Sequence, residues 1–250
     1  IILAGGRGLR MSPLTLSVNK QLLPLYDKPL IFYPLSVLMS IGIKRILIIV
    51  NKGQLKQFRK ILPEKNNLGI SIKYKEQAKP VGLPQAFTIG KKFIGNDSVS
   101  LILGDNFFYG KNLSKILRKN INLDSGVKIF IHPVKKPSLY GIATIDKNKK
   151  VINLVEKPKK TNSKFAVTGL YFFDNQVINL TKKLKPSKRG ELEIIDLLKF
   201  YKKLNKLKAE FIGNGSLWLD TGDIKSFYRA SNFVSNIESK KGLKIGCIEE

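Results

Sequence analysis

Short apolar runs alternate with helical patterns through the first half of this 250-residue chain. The strand candidates are Ile1–Leu3, Ile46–Val50, Ile70–Tyr74 and Val99–Leu103. The helix candidates between and after them are Leu30–Ser40, Gln54–Leu62, Leu83–Gly90 and Asn112–Asn120. Strands that alternate with helices build right-handed βαβ units. The sequence therefore predicts an α/β fold with a Rossmann-like, mainly parallel central sheet and helices on both faces.

The pattern changes after about residue 128, where strand-like segments follow one another closely. They are Lys128–Val134, Ile142–Ile145, Val151–Val155 and Phe165–Phe173, with a hairpin turn predicted at Asp146–Lys149. Helical patterns return at Gln176–Leu184, Glu193–Asn205 and Asp223–Ile237. This half predicts a smaller, mixed and partly antiparallel region. Ligands of open α/β sheets bind beyond the carboxyl ends of the strands, so we expect a site in the loops that follow strands.

One cysteine and one histidine limit the chemistry available to the chain. Cys247 alone forbids an internal disulfide and fits a reducing, cytoplasmic compartment. A zinc site of several His and Cys ligands cannot be assembled, and a Ser-His-Asp triad would have to use His132. His132 lies in an apolar run without a partner motif, and we interpret it as a strand-end residue. No run approaches the length of about 18 apolar residues that predicts a membrane span.

The net charge of +27 comes mainly from lysine, which supplies 38 of the 45 basic residues. These lysines are scattered along the whole chain, whereas nucleic-acid-binding proteins concentrate Lys and Arg on one face among stacking aromatic residues. We therefore predict no dedicated nucleic-acid site. A general positive field would still attract small anionic substrates.

The loop after the first strand is rich in glycine and basic residues. Gly5, Gly6 and Gly8 follow the apolar run directly, so their N–H groups could close around phosphate oxygens. The loop lacks the Gly-Lys-Ser/Thr ending of a Walker motif, and Met11 stands where a dinucleotide fingerprint has its third glycine. A glycine-rich turn is often purely structural. The basic residues Arg10 and Lys20 that follow favour an anion site.

These motifs resemble those of the sugar nucleotidyltransferase family. The signature region is Leu3–Arg10, then Pro13-Leu14-Thr15 and Lys20–Pro29, and residues 20–34 are especially similar to members that use dTTP. The similarity continues in collinear order through Gln77–Phe87, Leu103–Gly110, Tyr140-Gly141, Glu156-Lys157-Pro158, Val167–Tyr171, Arg189–Asp196 and Trp218–Gly222. It covers essentially the whole chain.

The resemblance implies one nucleotide-diphospho-sugar transferase domain over 1–250, with a nucleotide-binding half at 1–125 and a sugar-phosphate-binding half at 126–250. The implied reaction joins dTTP and glucose 1-phosphate into dTDP-glucose and pyrophosphate, the first step towards dTDP-rhamnose and related cell-surface sugars. Both reactants are polyanions, so catalysis would consist of positioning and positive charge. The resemblance assigns catalysis to Arg10, Lys20 and Asp105. It assigns nucleotide binding to Leu3, Gly5, Gly6, Gly8, Arg10, Gln21, Gln77, Gly82 and Asp105.

Two aspartates match the family's metal ligands, which implies a Mg²⁺ ion. Asp105 comes just after the apolar run Val99–Leu103, and Asp220 follows Trp218-Leu219. Carboxylate oxygens suit Mg²⁺, although an Asp after a strand is also a common turn or cap residue. The sugar phosphate is assigned by motif match to Tyr140, Gly141, Glu156, Lys157, Val167, Tyr171 and Arg189.

Some positions depart from the family pattern and leave alternatives open. Leu9, Ser12, Val81 and Pro84 replace the usual residues near the phosphates and the base. Sister enzymes that use UTP, CTP or GTP therefore stay possible. Other classes are a nicotinamide-dependent oxidoreductase, a basic nucleic-acid-binding module and an inactive regulatory homologue.

The family also implies features beyond the active site. It suggests a homotetramer with end-product control. Because the chain opens on Ile1 inside a strand and stops at Glu250, we expect the native first residues and the family's C-terminal helices to lie outside it.

Overall fold

The structure, a computed structural model, describes residues 1–6 and 8–249. Its strands are β1 (Ile2–Ala4), β2 (Pro24–Leu25), β3 (Lys28–Pro29), β4 (Arg45–Asn51), β5 (Ser71–Gln77), β6 (Val99–Leu103), β7 (Asn106–Tyr109), β8 (Val127–Pro133), β9 (Gly141–Ile145), β10 (Val151–Glu156), β11 (Phe165–Phe173), β12 (Leu207–Phe211) and β13 (Leu217–Asp220). Its α-helices are α1 (Phe32–Ser40), α2 (Leu55–Ile61), α3 (Gln85–Ile89), α4 (Lys91–Ile94), α5 (Leu113–Ile121), α6 (Val177–Thr181), α7 (Ile194–Lys203) and α8 (Ile224–Lys241). Short 3-10 helices lie at Leu9–Met11, Lys20–Leu22 and Pro137–Leu139.

Every strand and helix predicted from the sequence is present, with ends that differ by a few residues. The predicted turn also forms, since Asp146 N–H donates to Lys150 O (2.9 Å) and Lys149 N–H donates to Asp146 O (3.0 Å). The prediction was incomplete for the short strands β2, β3, β7, β12 and β13 and for the helix α4.

The chain divides into two compact units, each assembled from segments that are distant in sequence. Unit 1 contains Ile1–Lys79, Ile102–Ser114 and the segment from Gly215 onward, and unit 2 contains Pro80–Leu101 and Lys115–Asn214. The C-terminal helix α8 therefore belongs with the first strands of the chain.

The predicted parallel sheet runs in the order β6-β1-β4-β5, and unit 1 contains β1, β4, β5 and the last two residues of β6. Ile2 is opposite both Ile48 of β4 and Ile102 of β6. Residues 46–50 of β4 are all buried, as expected for a central strand covered on both faces. A separate antiparallel pair, β7 and β13, sets Asp220 opposite Asn106.

The helix α8 is capped at both ends and is tied to other parts of unit 1 near its C-terminus. Asp223 Oδ1 accepts from Ser226 N–H (2.9 Å) as an N-cap, and the helix ends at Gly242 in the left-handed conformation. Near its end the buried Glu238 accepts hydrogen bonds from Lys28 Nζ (3.2 Å), Lys244 Nζ (2.8 Å) and Ile245 N–H (2.9 Å). This cluster ties β3 and the chain after α8 to the helix.

Unit 2 is mixed, as predicted, and runs in the order β10-β9-β11-β8-β12. Its pairs are antiparallel except for β8 and β12, which are parallel. Its core includes the Phe87–Phe173 ring pair at 5.0 Å, and the buried Tyr201 Oη donates to Asp174 Oδ1 (2.6 Å). His132 lies near the end of β8 opposite Ala166, so its interpretation as a strand-end residue is confirmed. Over the described ranges, no helix combines the length and apolarity needed to cross a membrane.

Candidate active site

The glycine loop meets the carboxyl ends of three neighbouring parallel strands. It begins after Ala4 of β1, and its Gly6 exchanges two hydrogen bonds with Asn51, the last residue of β4: Gly6 N–H to Oδ1 (3.0 Å) and Nδ2 to Gly6 O (2.8 Å). A Cβ on Gly5 would lie 2.2 Å from Oε1 of Gln77, the last residue of β5. Any larger residue at this position would have to displace the buried Gln77 side chain, so the loop packs closely against the strand ends.

The next residues of the loop bring in the first cation. Gly8 O accepts hydrogen bonds from Thr15 Oγ1 (2.8 Å) and Met11 N–H (2.9 Å). The short helix Leu9–Met11 that begins there carries Arg10, whose side chain is 63% exposed. Arg10 is therefore accessible to an anion.

Lys20 lies against Asp105 in a largely buried ion pair. Lys20 Nζ donates to Asp105 Oδ2, and the two side chains are only 11% and 18% exposed. Asn106 Nδ2 donates to the other carboxylate oxygen (3.0 Å). Burial alone would raise the pKa of Asp105, but the charge of Lys20 and the hydrogen bonds from Lys20 and Asn106 hold that pKa below its ordinary value. Lys20 is thus not one of the solvated surface lysines.

Asn19, which the sequence analysis did not select, positions this lysine. Asn19 is buried, and its Nδ2 donates to Ala4 O (3.1 Å) and Gln54 Oε1 (2.6 Å). Its Oδ1 accepts from Gln21 N–H (2.8 Å) and so caps the short helix Lys20–Leu22. The helix that carries Lys20 is therefore tied to the end of β1.

Asp220 lies beside Asp105 because β13 pairs with β7. Thr221 donates to Asp105 O from its N–H (3.0 Å) and from its Oγ1 (2.6 Å). Burial, and next the negative charge of Asp105, raise the pKa of Asp220 to about 6, against the opposing charges of Lys20 and Arg10. Arg10 Nη2 lies 3.9 Å from Asp220 Oδ2. Two carboxylates and two cations thus form one cluster in unit 1.

This cluster fits a divalent ion. The negative charge of Asp105 raises the pKa of Asp220, and a bound cation would relieve this repulsion. Mg²⁺ typically takes one or two protein carboxylates together with substrate phosphates. In the part of the chain that the structure describes, no group of three or more His, Cys, Asp or Glu could hold a metal. Asp105 and Asp220 would therefore share the ion with phosphate oxygens and water.

The other predicted nucleotide residues of unit 1 outside the glycine loop are buried. Leu3 O accepts from Gly104 N–H (2.9 Å), which fixes the approach to Asp105. Gln21 and Gln77 are both 2% exposed. Gln21 Oε1 is buried and has no hydrogen-bond partner among the described residues. An unpaired buried oxygen is costly, and a ligand N–H could remove that cost.

The predicted sugar-phosphate residues lie in unit 2, where the charged ones surround Glu156. Arg189 Nη2 is 3.5 Å and Lys157 Nζ is 4.0 Å from Glu156 Oε1. Lys157 has a positive φ of 42°, and its N–H donates to Tyr140 O (3.0 Å). Burial, and next the charge of Glu193, raise the pKa of Glu156, while Lys157 and Arg189 oppose the rise. A carboxylate flanked by two cations can accept from a hydroxyl while the cations bind a phosphate.

Of the remaining residues assigned to the sugar phosphate, Gly141 and Tyr171 lie near Glu156. A Cβ on Gly141 would lie 3.2 Å from Glu156 Oε2. Tyr171 is buried, and burial followed by the charge of Glu156 raises the pKa of its phenol. Val167 is buried in β11. Gly82, which is assigned to the base, also belongs to unit 2.

Comparison with known proteins agrees with this arrangement. The model of the Nucleotidyl transferase family matches residues 1–237. The chain belongs to this family.

Relatives of this nucleotidyl transferase match it along its whole length. Glucose-1-phosphate thymidylyltransferase from Neisseria meningitidis is 46% identical over all of this chain and 87% of its own length, and that from Mycolicibacterium smegmatis is 47% identical over all of this chain and 86% of its own. A Bacillus anthracis crystal structure, provisionally assigned to the same activity and solved with a sucrose, gives a TM-score of 0.85 at 37% identity and 93% coverage of both chains. UDP-glucose pyrophosphorylase with UDP-glucose gives 0.81 at 25% identity, covering 94% of this chain and 97% of that one.

In this nucleotidyl transferase the predicted site residues fall into two groups. Unit 1 brings together Leu3, Gly5, Gly6, Gly8, Arg10, Lys20, Gln21, Gln77, Asp105 and Asp220. Unit 2 brings together Gly82, Tyr140, Gly141, Glu156, Lys157, Val167, Tyr171 and Arg189. Sequence reasoning missed Asn19, Asn51 and Glu193, single polar residues at the ends of elements, whose partners are set only by the fold.

Proposed function

We propose that this chain is a Mg²⁺-dependent enzyme that transfers a thymidylyl group from dTTP to α-D-glucose 1-phosphate, giving dTDP-glucose and pyrophosphate. The observation that carries the proposal is the buried cluster of Lys20, Asp105 and Asp220 at the end of the parallel strands. The names of the full-length relatives support the choice of thymidylyl transfer.

In the proposed reaction a sugar-phosphate oxygen attacks the α-phosphorus of dTTP. A new P–O bond forms, the bond from the α-phosphorus to the bridging oxygen breaks, and pyrophosphate leaves with the electron pair. Two unit charges 4 Å apart repel by about 4 kcal/mol at an effective dielectric of 20, so positive charge is what the reaction needs.

The residues of the chain have separate tasks in this scheme. Arg10 and Lys20 screen the α-phosphate and the departing pyrophosphate, with Lys20 held in place by Asp105. Lys157 and Arg189 bind the phosphate of the sugar phosphate, and Glu156 accepts hydrogen bonds from sugar hydroxyls. When bound at Asp105 and Asp220, Mg²⁺ would supply further positive charge to the phosphates.

The base would be recognised by Gln21, Gln77 and Gly82. A thymine or uracil edge carries an N–H donor, which the unpaired Gln21 Oε1 could accept. The 25% identical UDP-glucose pyrophosphorylase makes a uridylyl transferase the nearest alternative.

A pyrophosphate-release assay tests the proposal. The protein is incubated with glucose 1-phosphate, Mg²⁺ and dTTP, UTP, CTP or GTP in turn, and the product is identified by mass. We expect the highest kcat/KM with dTTP and no turnover in Asp105→Asn. Equal or better turnover with CTP would contradict the base assignment, and pyrophosphate release by Asp105→Asn at the wild-type rate would contradict the site.

The wider role belongs to the same proposal. The dTDP-glucose would feed dTDP-rhamnose synthesis for lipopolysaccharide and other cell-surface sugars in the cytoplasm, and the enzyme would be a homotetramer. Light scattering coupled to gel filtration measures the oligomer mass, and a monomer would refute the tetramer.

A further inference from the structure

Arg189 is held by a buried carboxylate outside the predicted site. Glu193 is 7% exposed. Its Oε1 accepts from Arg189 Nε (3.1 Å) and Nη2 (2.9 Å), and its Oε2 accepts from the same Nη2 (2.8 Å). Ser187 Oγ donates to Glu193 Oε1 (2.7 Å). These charge-assisted hydrogen bonds join Nε and Nη2 to the two oxygens of one carboxylate and so fix the orientation of the guanidinium.

The hydrogen bonds and ion pairs of the Arg189 guanidinium use Nε and Nη2. Glu156 and Glu191 each lie 3.5 Å from Nη2, the nitrogen that also binds Glu193. No partner of Nη1 occurs among the described residues. Since the guanidinium has five N–H donors, the edge that carries Nη1 stays available for phosphate oxygens.

Glu193 is in turn seated by the loop that contains Gly82. Leu192, the residue before Glu193, donates its N–H to Val81 O (2.7 Å). Gly82 has φ +116°, and a Cβ on it would lie 2.1 Å from Leu192 O and 2.7 Å from Leu192 N. The space that a side chain would need is filled by the backbone next to Glu193, so any larger residue must displace that backbone.

We propose that Gly82 and Glu193 are positioning residues for Arg189, so that the loop assigned to the base also sets the arginine that binds the sugar phosphate. Gly82 admits the Leu192 backbone, this contact sets Glu193, and Glu193 directs the Nη1 edge of Arg189 towards the phosphate. The inference rests on the proposed function, because it takes glucose 1-phosphate as the ligand of Arg189.

The first test is Glu193→Gln, which keeps the shape of the side chain but removes its charge. We expect the KM for glucose 1-phosphate to rise about tenfold, because hydrogen bonds to a charged partner are lost and the guanidinium is freed. The KM for dTTP should change less than about twofold. A variant that is merely less stable would not separate the two KM values.

The second test is Gly82→Ala, alone and combined with Glu193→Gln. The single change should raise the KM for glucose 1-phosphate by a comparable factor, and the double variant should be little worse than either single one, because both act through Arg189. Gly42→Ala is the control: Gly42 also has a positive φ (+86°) and nothing lies within 4 Å of the added Cβ, so the change adds backbone strain without displacing a neighbour.

The outcomes separate the inference from the proposed function. If Gly82→Ala raises only the KM for dTTP, or if the two changes are additive, the link between the loops is refuted. If Gly82→Ala does not fold, Gln85→Ala replaces it, since Gln85 Oε1 accepts from Val81 N–H (3.2 Å) and supports the same loop, and an unchanged KM for glucose 1-phosphate would refute the link. The proposed function fails separately, when the wild type releases no pyrophosphate from dTTP and glucose 1-phosphate.

Discussion

Replacing Asp220 with asparagine should abolish activity and yet stabilise the protein at neutral pH. Burial, and next the charge of Asp105, raise the pKa of Asp220 from 3.8 to about 6. The carboxyl of Asp220 therefore binds its proton more tightly in the folded protein than in the unfolded chain. Between about pH 4 and pH 6 the wild type loses stability as pH rises, and the full loss is present above about pH 6.

The pKa difference sets the size of the effect. A rise from 3.8 to about 6 corresponds to about 3 kcal/mol, at 1.36 kcal/mol for each unit. Asn at this position carries no charge to desolvate, and its Oδ1 can still accept from Gly222 N–H, as Asp220 does at 2.9 Å. We expect Asp220→Asn to unfold about 5–10 °C higher than the wild type at pH 7.5, and the difference to vanish near pH 4.

Thermal unfolding followed by circular dichroism at the two pH values measures the effect. Asp124→Asn is the control, since Asp124 is an exposed carboxyl, and we expect no change. Titration with MgCl₂ should raise the melting temperature of the wild type and have less effect on Asp220→Asn. The reasoning would be refuted if the melting temperature of Asp220→Asn were no higher than that of the wild type at pH 7.5, or if the increase were larger at pH 4.

Other variants test the remaining contacts. Lys20→Met leaves the buried Asp105 without its cation. Urea denaturation should therefore show a free energy of unfolding lower by about 3 kcal/mol, and pyrophosphate release should fall at least about 100-fold. Wild-type values of both quantities would contradict the assignment. Tyr201→Phe removes the buried hydrogen bond to Asp174 Oδ1, which then accepts only from Gln176 N–H (3.1 Å). The change should cost about 1–3 kcal/mol in the same denaturation experiment without changing either KM. Burial alone would raise the pKa of Glu238, but hydrogen bonds from Lys244, Ile245 N–H and Lys28 hold that pKa below its ordinary value. The wild type should therefore be about 1–2 kcal/mol more stable than Glu238→Gln at pH 7, and this advantage should disappear as pH falls below about 4; an advantage independent of pH would count against the ion pairs.

The elements that sequence predicts well are those whose pattern is local. The strand β4 is a continuous apolar run because both of its faces are buried, and β11 was predicted at Phe165–Phe173 without error. The strands β7 and β13 were missed because each consists of four residues whose stability comes from the other, more than 100 positions away. Their pairing, with the hydrogen bond from Trp218 Nε1 to Asn106 Oδ1 (2.6 Å), is what brings Asp220 to Asp105.

The same distinction separates the site residues that sequence could predict from those it could not. The glycine loop and Lys20 belong to a motif with recognisable spacing. Asn19, Asn51 and Glu193 have no such pattern, because each acts by bridging two elements that only the fold brings together.

Charge shows most clearly why composition alone could not define the site. A net charge of +27 spread over exposed lysines acts weakly on a phosphate, since salt screens exposed charges beyond about 8–10 Å. A cation acts strongly only where it is held close to its ligand and partly removed from water. In this chain Lys20 meets both conditions, because it is only 11% exposed and is paired with Asp105. Arg189 is 42% exposed but is held in one orientation by the buried Glu193. These two acids, and not the excess of lysines, therefore determine where each unit holds a cation in a fixed position.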